Sequence, residues 1–399
     1  MIAIGRVVAW ATPAILAGAV QAQCAYEVIP VYHPNPAKEL HARSIGNDGT
    51  IVGFESGVQG RALVVSPKGD VSFLPSAQWG AVAEGIAPDG RIVGMERLGL
   101  ITQLPVEWVD GTLVHLATPP GFSTGYALAA NRSGRTVGFV NLNGGQIGLS
   151  AVWIDGAFVD ISRDVPESGE AVGVTEDGVV VGLGKDPSTG LLVPYRWAGP
   201  GAVEFLPSIA PDLQSWPTAM SSNGFVAGYA TSVSSSGFRH AVAWMNGTAI
   251  DCGVLAGYDK SSASGVNVFG QVAGVCEFSS PPPADAPFLW QDGVLYDLFE
   301  LQLSPFMGSI ASVQGINDRG EICGFGKDQY GKSTTVILRP LRTRPGDVTI
   351  DCHVDGRDLA ALFEFWGRSY DYDGGPGDLD GDRFVGAFDL ALVLGDWGP

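Results

Sequence analysis

The sequence predicts an all-β array of seven repeated four-stranded units followed by a small α-helical module, and three observations predict it. A twelve-residue phrase recurs seven times along the chain, its copies 41 to 50 residues apart. A second phrase, an apolar run ending in Trp and then a tight turn, follows most copies. The final 55 residues break this pattern and carry 12 acidic residues against three arginines, in two regularly spaced sets. Composition agrees. With 56 Gly, 26 Pro, 45% hydrophobic and only 16% charged residues among 399, the chain is globular and turn-rich, with length for two or three domains. A net charge of −19 excludes nucleic acid and anionic membrane surfaces as natural partners, because such a surface repels phosphate.

Residues 1–22 read as a cleavable export signal: Arg6, an apolar stretch from Val7 to Val20, and a small-residue end at Val20-Gln21-Ala22. The mature chain is then expected to start at Gln23, secreted to the exterior or cell surface, with no membrane span after cleavage. Five cysteines follow, Cys24, Cys252, Cys276, Cys323 and Cys352, without a C-x-x-C pair. That excludes a zinc ribbon or thioredoxin-type site, and the odd number leaves at least one thiol unpaired; the pairing itself stays open.

The phrase has the form Ala-x-Gly-Ile-x-x-x-Gly-x-Ile/Val-Val-Gly. Its copies start at Ala42, Ala83, Ala127, Ala171, Pro217, Ala263 and Ala311 or its neighbour, and close at Gly53, Gly94, Gly138, Gly182, Gly228, Gly274 and Gly324. Turns such as Asn47-Asp48-Gly49 place glycine where a hairpin needs positive φ. The second phrase includes Trp108-Val109-Asp110-Gly111, Trp153-Ile154-Asp155-Gly156, Trp244-Met245-Asn246-Gly247 and Trp290-Gln291-Asp292-Gly293, with a looser copy at Trp197. A last short strand follows each turn. Four strands in about 45 residues is the size of a β-propeller blade. The seventh copy lacks its fourth strand, and Tyr26–Val31 precedes the first copy in the register of a final strand, so the N-terminal strand is expected to close a seven-bladed β-propeller over residues 23–343.

This phrase resembles the repeats of the HAF family of extracellular bacterial proteins, over residues 26 to about 340. The resemblance implies an exported repeat protein without an assigned role.

Residues 344–399 read as a calcium-binding module. Asp378, Asp380, Asp382, Phe384 and Asp389 occupy positions 1, 3, 5, 7 and 12 of a twelve-residue loop, Phe384 contributing its carbonyl. Thirty-one residues earlier the frame recurs as Asp347, Thr349, Asp351, His353 through its carbonyl, Asp355 at position 9, and Asp358. Two Ca2+ sites are expected. Each loop runs into a helix with an apolar stripe: Leu359, Leu362, Phe363 and Trp366 before Gly367, and Leu390, Val393, Leu394 and Trp397 before Gly398. The duplicated loop-helix resembles a type I dockerin of the Trp-Gly-terminated form, which implies folding around two calcium ions and docking on a cohesin. It departs from that pattern at position 6, where Cys352 and Arg383 replace glycine, and at positions 10 and 11, which are Gly356-Arg357 and Ala387-Phe388.

No catalytic constellation emerges. Gly121-Phe122-Ser123-Thr124-Gly125 matches a nucleophile-elbow spacing, but outside a strand-to-helix turn it reads as an ordinary turn. His33, His41, His115, His240 and His353 lack metal-ligand spacing; His41, just before the first phrase, has two readings, a residue facing a central channel or, preferred, a satisfied surface histidine. The sequons at Asn131 and Asn246 fall in turns that favour Asn for backbone reasons. The Trp repeated at the third strand reads as core between blades, which leaves Trp79 and Trp216 as candidates for ligand contact. The expected function is therefore an exported, non-enzymatic binding and display protein, the propeller taking a glycan or protein and the dockerin-like module attaching to a cohesin-like or cell-envelope protein. The alternative is a propeller enzyme acting on polysaccharide, a glycoside hydrolase or lyase. Channel carboxylates would discriminate, and Glu84, Glu170 and Gln314 are assigned to the variable slot of the phrase.

Overall fold

Each copy of the phrase folds into one hairpin whose first residue faces the closing glycine across two antiparallel strands. Ala42 pairs with Gly53, Ala83 with Gly94, Ala127 with Gly138, Ala171 with Gly182, Pro217 with Gly228 and Ala263 with Gly274. In the seventh copy Val313 pairs with Gly324, so the phrase starts there and not at Ala311. Ala311 is an exposed extra residue, bulged between Ile310 and Ser312, which is why counting along the sequence misplaces the start.

The glycine at the end of the phrase is a packing requirement. A Cβ on Gly53, Gly138 or Gly228 would fall inside contact distance of the carbonyl oxygen of His41, Tyr126 or Trp216 on the partner strand. In every copy the register then skips one residue, as between Ala42 and Ser44 or between Ala83 and Gly85, which makes a β-bulge of the variable slot.

The computed structural model describes residues 24–398 except 78, 100, 143–147, 166, 233–238, 279–284 and 303–307; the export signal lies outside them. The architecture is mostly β and propeller-like. Blades span 40–73, 81–115, 122–159, 171–205, 213–253, 260–297 and 309–340. Five are separate four-stranded sheets, and the second and third are joined through the bridge Thr124–Gln103 into one eight-stranded sheet. Tyr26–Val31 supplies the outer strand of the last blade, antiparallel to Ser333–Pro340, with Tyr26 opposite Pro340 and Val31 opposite Thr335. Each inner strand touches the inner strands of both neighbours, including the seventh against the first, so the ring closes.

The apolar core is divided into seven clusters, one in each gap between blades. Val52 and Ala62 of blade 1, for example, pack with Ala81, Val106 and Trp108 of blade 2. The repeated Trp side chains are closed into these gaps, at 0 to 5% exposure. Four of them also satisfy the indole N–H on the connection arriving from the previous blade: Trp108 to Pro75 O, Trp153 to Ala117 O, Trp197 to Asp164 Oδ2 and Trp244 to Pro207 O, at 2.7 to 2.8 Å. At the turns of the inner hairpins, asparagine amides bond to the next blade, Asn131 to Thr175 O, Asn267 to Asn317 O and Asn317 to Gly46 O. Asn131 is therefore buried for a backbone reason, as its turn position suggests.

Two short helices, α1 (Gly356–Phe365) and α2 (Ala387–Gly395), form the C-terminal module. Only part of each expected apolar stripe is buried. Leu362, Phe365 and Val393 enter a core with Val348, Val354 and Val385, whereas Phe363, Trp366, Leu394 and Trp397 are exposed by 44 to 56%. The module is too small to cover every apolar side chain it carries. Its core is completed from outside by Val268 and Phe269 of blade 6, Phe269 meeting Phe365 edge-on at 5.9 Å. Cys24 and Cys352 form a disulfide, and Cys252, Cys276 and Cys323 are buried free thiols. Among the described residues no helix is long and apolar enough to cross a membrane.

Candidate functional site

Two regions carry chemistry: the paired loops of the C-terminal module and the channel through the ring. The loops repeat one hydrogen-bond plan. Asp358 Oδ1 accepts from Val348 N and Thr349 N at 2.9 and 3.0 Å, and Asp389 Oδ1 accepts from Leu379 N and Asp380 N at 2.7 and 3.3 Å. Their second oxygens accept from Asp355 N and Gly386 N. Asp347 accepts from Cys352 N at 2.9 Å, and Asp378 accepts from Arg383 N at 3.2 Å. The two Trp-Gly endings have a shared purpose: Gly367 N bonds Val385 O and Gly398 N bonds Val354 O, so each repeat's tail is tied to the other repeat's loop.

The second loop suits a hard cation. Asp378, Asp380 and Asp382 present carboxylate oxygens within 4.8 Å of one another, with Asp389 at the start of α2 and the Phe384 carbonyl in the same frame. In the first loop the donors Asp347, Thr349, Asp351, His353, Asp355 and Asp358 follow the same frame, but Arg357 Nη2 lies 2.7 Å from Asp351 Oδ2 and 3.3 Å from Asp355 Oδ2. The guanidinium offsets charge that a cation would otherwise meet. Position 6 has positive φ in both loops, 63° at Cys352 and 72° at Arg383, and Ile350 at position 4 adds a third strained residue at 61°. Cys352 holds that conformation while bonded to Cys24. The Cys24 and Cys352 sulfurs beside Asp347 are spent in the disulfide and are not ligands.

The module lies across one end of the channel, the end formed by the turns of the inner hairpins. Arg132 of blade 3 meets Asp371 at 3.0 Å, and Arg357 meets Asp292 of blade 6 at 2.6 Å. Gln271 and Gln291 donate to the Ile350 and Thr349 carbonyls. Asp371 and Tyr372 close a cavity of ≈ 200 Å³ with Asn47, Pro88 and Asp89 of blades 1 and 2. Arg357, at position 11 of the first loop, thus faces the propeller, whereas Phe388, its counterpart in the second, is 76% exposed.

Strand alternation and the bulge put two tiers of side chains on the channel. The tier just before each phrase includes His41, Tyr126, Glu170, Trp216, Ser262 and Ser312. The bulge tier includes Arg43, Glu84, Leu128, Thr218, Ser264 and Gln314, around a chamber of ≈ 260 Å³ that continues toward the module. Glu170 belongs to the first tier, one residue before Ala171, and not to the variable slot; Val172 occupies that slot in blade 4. His41 is not a surface histidine. Its ring is stacked between Phe54 at 4.9 Å and Phe325 at 4.7 Å, and burial lowers its pKa.

Burial raises the Glu84 carboxyl; Arg43, 3.4 Å away, opposes that shift and the charge of Glu170 adds to it. Burial raises Glu170 as well. Tyr126 stacks on Phe139 at 4.9 Å, and Trp216 on Tyr229 at 5.5 Å. Of the two Trp candidates only Trp216 reaches the channel; Trp79 is 37% exposed on the connection leading into blade 2. Sequence reasoning missed Tyr126 and the backing rings, though each lies at a fixed offset from the phrase. Phe122–Ala130 is a strand that pairs with its neighbour, so Ser123 sits on no nucleophile turn. His33, His115 and His240 are held by Glu55, Glu96 and Asp251.

No family model matches the sequence, and no curated protein matches it. Among solved structures, the β-propeller domain of the Trilobed protease from Pyrococcus furiosus is 10% identical with a TM-score of 0.51, covering 75% of this chain and 95% of that one. That domain is described as an open velcro topology, whereas here Tyr26–Val31 joins the last blade. TolB from Acinetobacter baumannii is 11% identical with a TM-score of 0.36 over 74% of this chain and 64% of its own. A prolyl endopeptidase is 8% identical with a TM-score of 0.43 over 80% and 51%. At such identities the likeness speaks of fold alone, and with the sheet order above it establishes a β-propeller fold.

Proposed function

We propose that the chain is an exported, non-enzymatic binding and display protein. Its seven-bladed propeller takes a glycan or protein ligand at the channel, and its dockerin-like module takes calcium in two loops and attaches the protein to a cohesin-like or cell-envelope partner. One observation carries the binding half. Framework positions of the phrase are nearly the same in every blade, yet the channel-facing residues differ in chemistry from blade to blade: Arg43, Glu84, Leu128, Thr218 and Gln314 share one slot. A purely structural ring has no use for that variety.

The attachment half rests on the exposed apolar side of the module, Phe363, Trp366, Phe388, Leu394 and Trp397, opposite the face on the propeller. Any docking uses the second repeat, because Arg357 of the first is engaged by Asp292. The test is capture of envelope and secreted fractions by the full mature chain, with calcium and then with chelator. A partner retained only with calcium, and lost in Phe388→Ala, supports attachment; equal capture in chelator refutes it.

One observation favours a second reading, an enzyme acting on polysaccharide. Glu84 and Glu170 are two carboxyls placed on the channel, and carboxyls are the groups that acid and base catalysis of glycosidic cleavage requires. Polysaccharide cleavage abolished by Glu84→Gln or Glu170→Gln would establish it; absence of cleavage across neutral and uronic polymers would leave the binding reading.

A further inference from the structure

We propose that the open channel mouth, on the face away from the module, binds the end of a neutral oligosaccharide chain; this rests on the binding reading above and names its ligand class and place. The tier at the mouth carries two rings with a free face, Tyr126 of blade 3 and Trp216 of blade 5, each lying nearly parallel to a second ring on the next strand, with interplanar angles of 14 and 11°. His41 of blade 1 is covered on both faces by Phe54 and Phe325 and offers only its edge. The backing rings Phe139 and Tyr229 fix Tyr126 and Trp216 before any ligand arrives, which lowers the ordering cost of binding. These rings differ from the repeated core Trp. Trp108 is 2% exposed, whereas Tyr126 and Trp216 remain only part-buried.

In the same tier blades 6 and 7 present the hydroxyls of Ser262 and Ser312, and the Glu170 carboxylate, between Tyr126 and Trp216 in ring order, accepts hydrogen bonds; Glu84, Ser264 and Gln314 lie one tier deeper, toward the module. A pyranose matches both kinds of group. Its C–H face suits an aromatic ring, and its hydroxyls donate to a carboxylate and exchange hydrogen bonds with serines. An anionic ligand is disfavoured, because Arg43 is engaged by Glu84 at 3.4 Å and the chain carries a net charge of −19. A chain end fits better than a chain passing through, because the module crosses the far end of the channel.

The experiment is titration calorimetry of the full mature protein in calcium with cello-, xylo-, manno- and maltohexaose, and with a uronic-acid hexasaccharide. Saturable binding of at least one neutral hexaose is expected, with none of the uronic chain. Trp216→Ala and Tyr126→Ala should each weaken it at least about tenfold, and Trp216→Phe should recover most of the loss. Val114→Ser, on an exposed outer strand, is the control, and thermal unfolding of every variant separates lost binding from lost folding. Binding that survives both aromatic substitutions overturns the assignment of the mouth. Capture of a defined protein ligand by a chain that binds no neutral hexaose overturns the ligand class and leaves the binding function intact. Binding of neither class overturns both.

Discussion

Cys24, two residues before the strand that closes the ring, is disulfide-bonded to Cys352 at position 6 of the first loop of the C-terminal module. The bond joins the ring seam to the C-terminal module in one covalent link across 328 residues. It also supplies a reason for Cys352 at a position that favours glycine: the residue accepts positive φ while serving as half of a cross-link.

Breaking that link should loosen the seam and the module together. Cys352→Ser is expected to cost about 3 to 5 kcal/mol, in the range for native disulfides closing long loops. Thermal unfolding checks it: the wild type should lose stability in reductant, and the variant should be insensitive to it. Equal sensitivity in both would disprove the role given to this bond.

The two loops should differ in calcium affinity. Asp378→Asn is expected to weaken the tighter site by about tenfold or more, since the guanidinium of that loop, Arg383, is turned to Asp373 at 2.6 Å and not to a ligand carboxylate. Arg357→Ala should strengthen the first site by releasing Asp351 and Asp355. Calcium titration of each full-length variant reads both effects, and chelation should lower far-ultraviolet helical signal.

Glu55 should make the ring acid-sensitive. Burial pushes its carboxyl up, but hydrogen bonds from Arg61, Lys38 and His33 outweigh this and bring it to about 2, from an ordinary 4.5. A carboxyl held down in the folded state contributes stability that is complete above about 4.5 and is lost as pH falls toward about 2. With Lys38 and Arg61 part-exposed, the contribution is about 2 to 3 kcal/mol. Glu55→Gln should therefore lower stability at neutral pH and flatten its fall between pH 4.5 and 2, followed by denaturant unfolding across that range.

Glycines of different kinds should respond differently to alanine. Gly138→Ala drives a methyl into the Tyr126 carbonyl and is expected to cost more than about 3 kcal/mol. Gly156→Ala meets no neighbour within 4 Å and suffers only its positive φ of 78°, a cost of about 1 kcal/mol. Denaturant midpoints of the two variants measure the contrast.

Much of the architecture was already determined by the sequence alone. Seven phrases with one internal spacing, Trp-turn pairs and a displaced N-terminal strand specify four-stranded units and their closure, because strand alternation and turn chemistry are local properties that repeat wherever the residues repeat. The doubled loop was legible for the same reason, as the spacing that lets Asp358 and Asp389 accept from equivalent backbone N–H groups is counted along the chain. Only the tertiary structure decided which residues meet. Val313 replaced Ala311 because a bulge shifts the register, and Glu170 changed tier because facing is set by pairing. The Cys24–Cys352 bond, the guanidinium of Arg357 between Asp292 of blade 6 and two expected ligands, and the stacking of His41 on Phe325 all join residues far apart in the chain. Such encounters depend on which distant strands the closed ring brings side by side and on where the module lands on it, and those positions are properties of the whole chain that no local spacing encodes.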